Sequence, residues 1–158
     1  PGAGKSTVGV ILAKRTGLRF IDSDLDIQQR AGATLQDILE RHGYRHLRAL
    51  EEEVLLETDL SGAILATGGS AVYSARVMAR LCSAGPVIYL RASEELLAQR
   101  VAAAPPRGMA NDTQQAFAEV YAERTPLYEH YANLSVDSDE GSADSVAEAL
   151  LKRLAHSD

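Results

Sequence analysis

The chain opens on Pro1-Gly2-Ala3-Gly4-Lys5-Ser6-Thr7, a glycine-rich turn that ends in Gly-Lys-Ser where an apolar helical face begins with Val8, Val10, Ile11 and Leu12. Few short segments restrict a fold so much. Inward-turned backbone N–H groups, a helix N-terminus and a lysine charge converge on one point, which suits a polyphosphate. The pattern G-x-x-x-x-G-K-[ST] places Gly4, Lys5 and Ser6 at its end and its first glycine two positions ahead of Pro1. The backbone N–H groups of Gly2 to Thr7 are expected to hold α- and β-phosphates, Lys5 to reach the β- and γ-phosphates, and the Ser6 hydroxyl to ligate Mg²⁺. An apolar strand normally feeds such a loop, so residues 1–158 are read as one N-terminally truncated domain.

Alternation along the rest of the chain gives the fold class. Leu18–Ile21, Ala63–Ala66, Val87–Leu90 and, more weakly, Leu134–Val136 read as short buried strands. Helical patterns separate them at 6–15, 25–31, 35–42, 44–60, 75–81, 94–101, 113–123 and 145–154. Strands alternating with helices predict an α/β fold with a parallel sheet covered on both faces. Residues 25–60 hold more helix than a crossover needs and are expected to form a substrate-binding lobe. Residues 102–112 contain Pro105, Pro106, Gly108 and Asn111 and suit a mobile lid.

A length of 158 residues supports one self-sufficient core, and a net charge of −6 argues against a broad nucleic-acid or membrane-binding face. No apolar run reaches the ~20 residues that span a bilayer, and no signal-peptide pattern is visible, so the expected compartment is the cytoplasm. The single cysteine, Cys82, is expected to be a small core residue. His42 and His46 are four apart, but Gly43 interrupts them and no third ligand is near, which favours a solvated face over a metal site.

Asp22-Ser23-Asp24 follows a strand, on the edge where open parallel sheets bind ligands. Asp24 could merely cap the next helix. Beside a phosphate loop, Asp22 can instead hold Mg²⁺ through water, and Asp24 can accept a proton or hydrogen bond from an acceptor hydroxyl. Arg48 and Glu51, three apart, read alone as an exposed ion pair. Thr67-Gly68-Gly69-Ser70 is a turn that allows close backbone approach, and Arg124 stands where Pro126 is expected to break a helix.

In order and approximate spacing, Pro1–Thr7, Phe20–Asp24, Gly43–Glu51, Thr67–Val72, Arg100, Arg107 and Arg124-Thr125-Pro126-Leu127-Tyr128 resemble the shikimate kinases. The resemblance implies a P-loop kinase fold with five strands, the first lying ahead of Pro1, and ATP- and Mg²⁺-dependent phosphorylation of the shikimate 3-hydroxyl by a monomer. It implies that Lys5, Asp24 and Arg107 are catalytic, that Ser6 and Asp22 serve the metal, and that Arg48 and Arg124 clamp the substrate carboxylate beside Gly68 and Gly69. Arg100 would stack on adenine, and Arg107 would close over ATP from the lid. Three positions depart from the family pattern: Gly108 replaces a lid proline, Tyr44 a glutamate and Ser70 the third glycine of Gly-Gly-Gly.

Two other readings stay open at this stage. One is a P-loop kinase of another hydroxy acid such as gluconate; the other is a catalytically weak, ligand-sensing domain of the same fold. Without a central strand, two backbone ladders would be exposed, a loss comparable with the ~5–15 kcal/mol stability of a whole domain. Residues 1–158 alone are therefore expected to be unstable and inactive.

Overall fold

The computed structural model describes residues 1–112 and 114–156. Helix α1 (Lys5–Thr16) starts at Gly4, whose φ of 87° only glycine adopts readily, and ends at a second left-handed glycine, Gly17. Strand β1 (Arg19–Asp22) pairs in parallel with β2 (Ala63–Ala66), Arg19 opposite Ala63. Strand β3 (Ile88–Arg91) pairs in parallel with β4 (Leu134–Asp137), Ile88 opposite Leu134. Parallel strands need long crossovers, and helices supply them.

Among the described residues these are two separate two-stranded sheets. Val8 and Leu12 of α1 and Val146, Ala147 and Leu150 of α8 (Ala143–Ala155) pack with Leu90, Val136, Ile64 and Ile88 in one core that covers both pairs. A cavity of about 510 Å³ has Ile64 and Leu65 of β2 and Ile88 and Leu90 of β3 in its lining, with Pro1, Lys5 and Gly69 also on its wall.

Between β1 and β2 run α2 (Ser23–Ala31), α3 (Leu35–His42) and α4 (Tyr44–Glu57). Ile27, Leu35, Ile38, Leu47 and Val54 form their own apolar cluster, to which Ala110 of the 104–116 connection is added. Gly108 shows how that segment docks. Its φ is +63°, its N–H donates to the Gln36 side chain at 2.8 Å, and an added Cβ would run into the backbone of Leu35. The glycine that departs from the family pattern is therefore required by the close approach of this loop to α3.

Several boundaries shift for local reasons. α4 stops at Glu57, three residues short of the predicted Leu60, because the Thr58 hydroxyl turns back to the Val54 carbonyl at 2.6 Å. α5 (Ala75–Ala84) outlasts its predicted end at Leu81, and α6 (Glu94–Ala103) its predicted end at Val101. The helix predicted over 113–123 is instead α7, Phe117–Tyr131, with Pro126 inside it; Thr113 lies outside the described residues. Proline forfeits one hydrogen bond, but Arg124 and Tyr128 on either side are anchored to the Gly69–Tyr73 segment, through Tyr73 and Gly69, and the helix continues. Cys82 is exposed rather than in the core. α5 turns Val77 and Met78 inward, and Cys82 falls on its outer side.

Gly108→Ala is expected to lift the loop from α3 while leaving global stability nearly unchanged. Tryptic cleavage after the exposed Arg107 should then be several-fold faster than in the parent protein; an unchanged rate would show that the docking does not depend on glycine.

Candidate active site

The phosphate loop and the end of β1 meet directly. Gly2 and Gly4 both have positive φ, 76° and 87°, the alternation that turns successive N–H groups into a concave anion seat. The Gly4 carbonyl accepts the Val8 N–H at 2.9 Å and starts the helix behind that seat. Ser6 Oγ donates to Asp22 Oδ2 at 2.8 Å, and Asp22 Oδ1 accepts the backbone N–H of Asp24 at 3.0 Å. Thus Asp22, not Asp24, caps α2, and Asp24 is left inside the first turn with its carboxylate directed to the cleft. Arg100 of α6 donates to the Gly2 carbonyl at 2.9 Å and props the loop from behind.

Beyond the loop the cleft is crowded with charge. The β2 strand runs into Gly68 and then a 3-10 helix, Gly69–Tyr73. A Cβ on Gly68 would strike Glu51 Oε2 and lie 3.2 Å from Asp24 Oδ1; one on Gly69 would lie 2.7 Å from an Arg124 nitrogen and 2.9 Å from the Tyr128 hydroxyl. Both glycines exist to let these side chains share one floor. Arg124 is 2% exposed and Glu51 5%. Burial lowers the pKa of Lys5, with Arg124 acting in the same direction and Asp24, Asp22 and Glu51 opposing it. Burial, then the neighbouring Asp22, raises that of Asp24, while Lys5 and Arg107 pull it back. Burial pushes Glu51 up to about 6 against the opposing hydrogen bond from Ser70.

The acceptor side is defined by two arginines that reach one oxygen. Arg48 Nε donates to the Ala110 carbonyl at 2.7 Å, and Arg124 reaches the same oxygen at 3.4 Å. The guanidinium of Arg48 lies 4.0 Å from the Tyr73 ring centre and 5.0 Å from that of Tyr44. Arg107 stands exposed on the loop before Gly108, with its charge felt at Asp24.

Glu51, Ser70, Tyr73 and Ala110 were not singled out as functional groups by sequence reasoning. The first had a signal. Leu47, Glu51, Val54 and Leu55 occupy the buried stripe of α4, so Glu51 is a carboxylate at a core position of a helix rather than half of a surface pair with Arg48. Ser70 Oγ donates to Glu51 Oε1 at 2.5 Å. His42 and His46 are exposed with rings 4.8 Å apart, and no cluster of three or more His, Cys, Asp or Glu fit for a metal exists among the described residues. Nor is any described helix long and apolar enough to cross a membrane.

A glycine loop at a helix start, an aspartate-bearing strand end beside it and two buried or half-buried arginines across the cleft are the features of a P-loop phosphotransferase for small molecules. Comparison with known proteins narrows the class. The sequence model described as shikimate kinase matches residues 1–155, and the chain belongs to the shikimate kinase family. It is 38% identical over 156 residues to the shikimate kinase of Pseudoalteromonas atlantica, covering 97% of this chain and 91% of that one. Identity to the shikimate kinase of Thiobacillus denitrificans is 39% over 156 residues, covering 97% and 85%. The solved shikimate kinase of Acinetobacter baumannii in complex with shikimate superposes with a TM-score of 0.88 at 33% identity, covering 99% of this chain and 89% of that one.

The raised pKa of Glu51 has a defined sign. Its neutral form is favoured in the folded state, so its contribution is fully present below the ordinary value of 4.5 and is lost as pH rises through about 6. A shift of that size corresponds to about 2 kcal/mol. Relative to the parent protein, Glu51→Gln should gain roughly that much stability between pH 4 and pH 7.5, read from denaturant melts at both values. A stability difference that does not change with pH would refute the assignment.

Proposed function

We propose that the chain transfers the terminal phosphoryl group of ATP to the 3-hydroxyl of shikimate, giving shikimate 3-phosphate and ADP on the route to chorismate and the aromatic amino acids. The observation that carries the acceptor half is the convergence of Arg48 and Arg124 on the Ala110 carbonyl. An oxygen there already meets both guanidinium groups, which is what holding one carboxylate requires. Gly68 and Gly69 leave room beside it for backbone contacts to the ring.

In this reading Gly2 to Thr7 cradle the phosphates, Lys5 neutralises their charge, and Arg107 adds a second cation from the loop. Asp24, its pKa raised and its carboxylate in the cleft, aligns the attacking hydroxyl and takes its proton as the oxygen–phosphorus bond forms and ADP leaves. Arg100, whose terminal nitrogen is bonded to Gly2, presents the rest of its guanidinium for stacking on adenine. Ser6 and Asp22 place a hydroxyl and a carboxylate oxygen together, a donor set suited to hard Mg²⁺, and when bound the ion would offset phosphate charge. Residues 25–60 serve as the acceptor lobe and 102–112 as the lid, in a monomer working in the cytoplasm.

We also infer that the cavity between β2 and β3 takes an extended apolar strand that leads into Pro1 and joins both sheets. Extending the chain upstream with such a strand and the first loop glycine should convert a broad thermal transition into a cooperative one. A cooperative melt of residues 1–158 alone would count against this.

In that extended protein, Arg48→Ala and Arg124→Lys should each raise the shikimate KM roughly 10- to 100-fold with little change for ATP, because a charge-assisted hydrogen bond to the carboxylate is worth ~1.5–3 kcal/mol. Steady-state kinetics decides, and unchanged shikimate KM in both variants would refute the clamp. Lys5→Ala should abolish turnover while calorimetry still finds shikimate binding.

A further inference from the structure

We propose that Tyr73 is a positioning residue for the acceptor, the part that sets both clamp arginines at their mutual angle. The inference rests on the clamp reading and adds to it a residue that touches both arginines at once.

Tyr73 ends the 3-10 helix that is capped by Gly68 and begins at Gly69, so the same short turn that makes room for the acceptor also delivers this ring. Arg48 lies over the ring face at 4.0 Å, close enough for a strong cation–π contact. Arg124 approaches the same ring, its guanidinium carbon 5.4 Å from the centre, and its Nε donates to the Tyr73 hydroxyl at 3.3 Å. The hydroxyl donates its own hydrogen bond to Glu123 Oε1 at 2.5 Å, and Glu123 accepts a second from Gln115 Nε2 at 3.1 Å. Hydrogen bonding from Tyr73 and Gln115 keeps the Glu123 carboxylate acidic, so this chain of bonds has one direction, from Arg124 through Tyr73 to a charged acceptor.

Two long cations brought to one anion repel each other and have many rotamers. A carboxylate partner would restrain each arginine but would also neutralise the charge that a ligand needs. A tyrosine ring restrains without neutralising, because its face attracts a guanidinium through a quadrupole and does not consume the N–H fork, which lies in the guanidinium's own plane. Tyr44 takes the other approach to Arg48 at 5.0 Å. Arg48 is thus held between two rings from different elements, whereas Arg124 depends on Tyr73 for its Nε contact.

The test is steady-state kinetics with thermal melts on the protein extended through its feeding strand. Tyr73→Leu removes ring and hydroxyl and is expected to raise the shikimate KM about tenfold, with the ATP KM within about twofold and the melting temperature near the parent's. Tyr73→Phe keeps the ring and loses only the hydroxyl, and should recover most of that loss, leaving an increase of about threefold. A shikimate KM within twofold of the parent for Tyr73→Leu would overturn the proposal, as would parallel rises for both substrates with a lowered melting temperature. If Tyr73→Leu does not fold, Tyr73→Phe decides, and an unchanged shikimate KM there overturns it. Arg48→Ala in the same assay separates the two claims. Its failure to raise the shikimate KM removes the clamp itself, whereas a rise there with none in the Tyr73 variants removes only the role of Tyr73.

Discussion

The structure depends on a set of opposed charges withdrawn from water into one cleft. Lys5 and Arg124 are the cations, Asp24 and Glu51 the anions, and the backbone at Gly68 and Gly69 is the floor between them. Each charge alone would cost several kcal/mol to withdraw from water. Together they offset one another, and the offset is incomplete in a useful way. Burial lifts Asp24 and Glu51 while it depresses Lys5, so each of these three is drawn toward neutrality and is stabilised in its charged form by an arriving charge of opposite sign.

That arrangement explains why four parts of the chain must meet. α1 and the first turn of α2 bring Lys5 and Asp24; α4 brings Glu51 and Arg48; α7 brings Arg124; the loop after α6 brings Ala110 and Arg107. Lys5 starts the helix that carries Val8 and Leu12 of the main core. The α2–α4 elements have an apolar cluster of their own, and Ala110 is part of it. Lys5 thus stands on a helix of one core, Asp24, Glu51 and Arg48 on helices packed around the other, and Arg124 reaches the cleft from α7.

Much of this was legible in the residues. Gly4-Lys5-Ser6 named a phosphate seat, and short apolar runs between helical stretches named a parallel α/β fold. Those signals are local, and backbone physics fixes them within a few residues. The rest was hidden because it is tertiary. Nothing around Pro126 announces that α7 will run through it, since what holds the helix on both sides is the docking of Arg124 and Tyr128 on a turn more than fifty residues away. Cys82 is apolar by neighbourhood yet exposed, because the face of α5 is chosen by Val77 and Met78. Glu51 read as the partner of Arg48 three residues away, but the helix turns one into the core and the other toward the lid.

The three departures from the family pattern make contacts within this chain that give them a common sense. Gly108 allows the loop onto Leu35, a position that a side chain would block. Ser70 supplies a hydrogen-bond donor to Glu51, whose burial would otherwise be harder to sustain. Tyr44 stands where the resemblance leads one to expect glutamate, and offers Arg48 a ring face at 5.0 Å. A glutamate there would compete with the substrate carboxylate for the same guanidinium. A neutral ring adds no competing negative charge of its own. Tyr44 and Tyr73 thus orient Arg48 by polarisable faces, with the nearby carboxylates acting on the clamp through space: Glu123 on both arginines and Glu51 on Arg124.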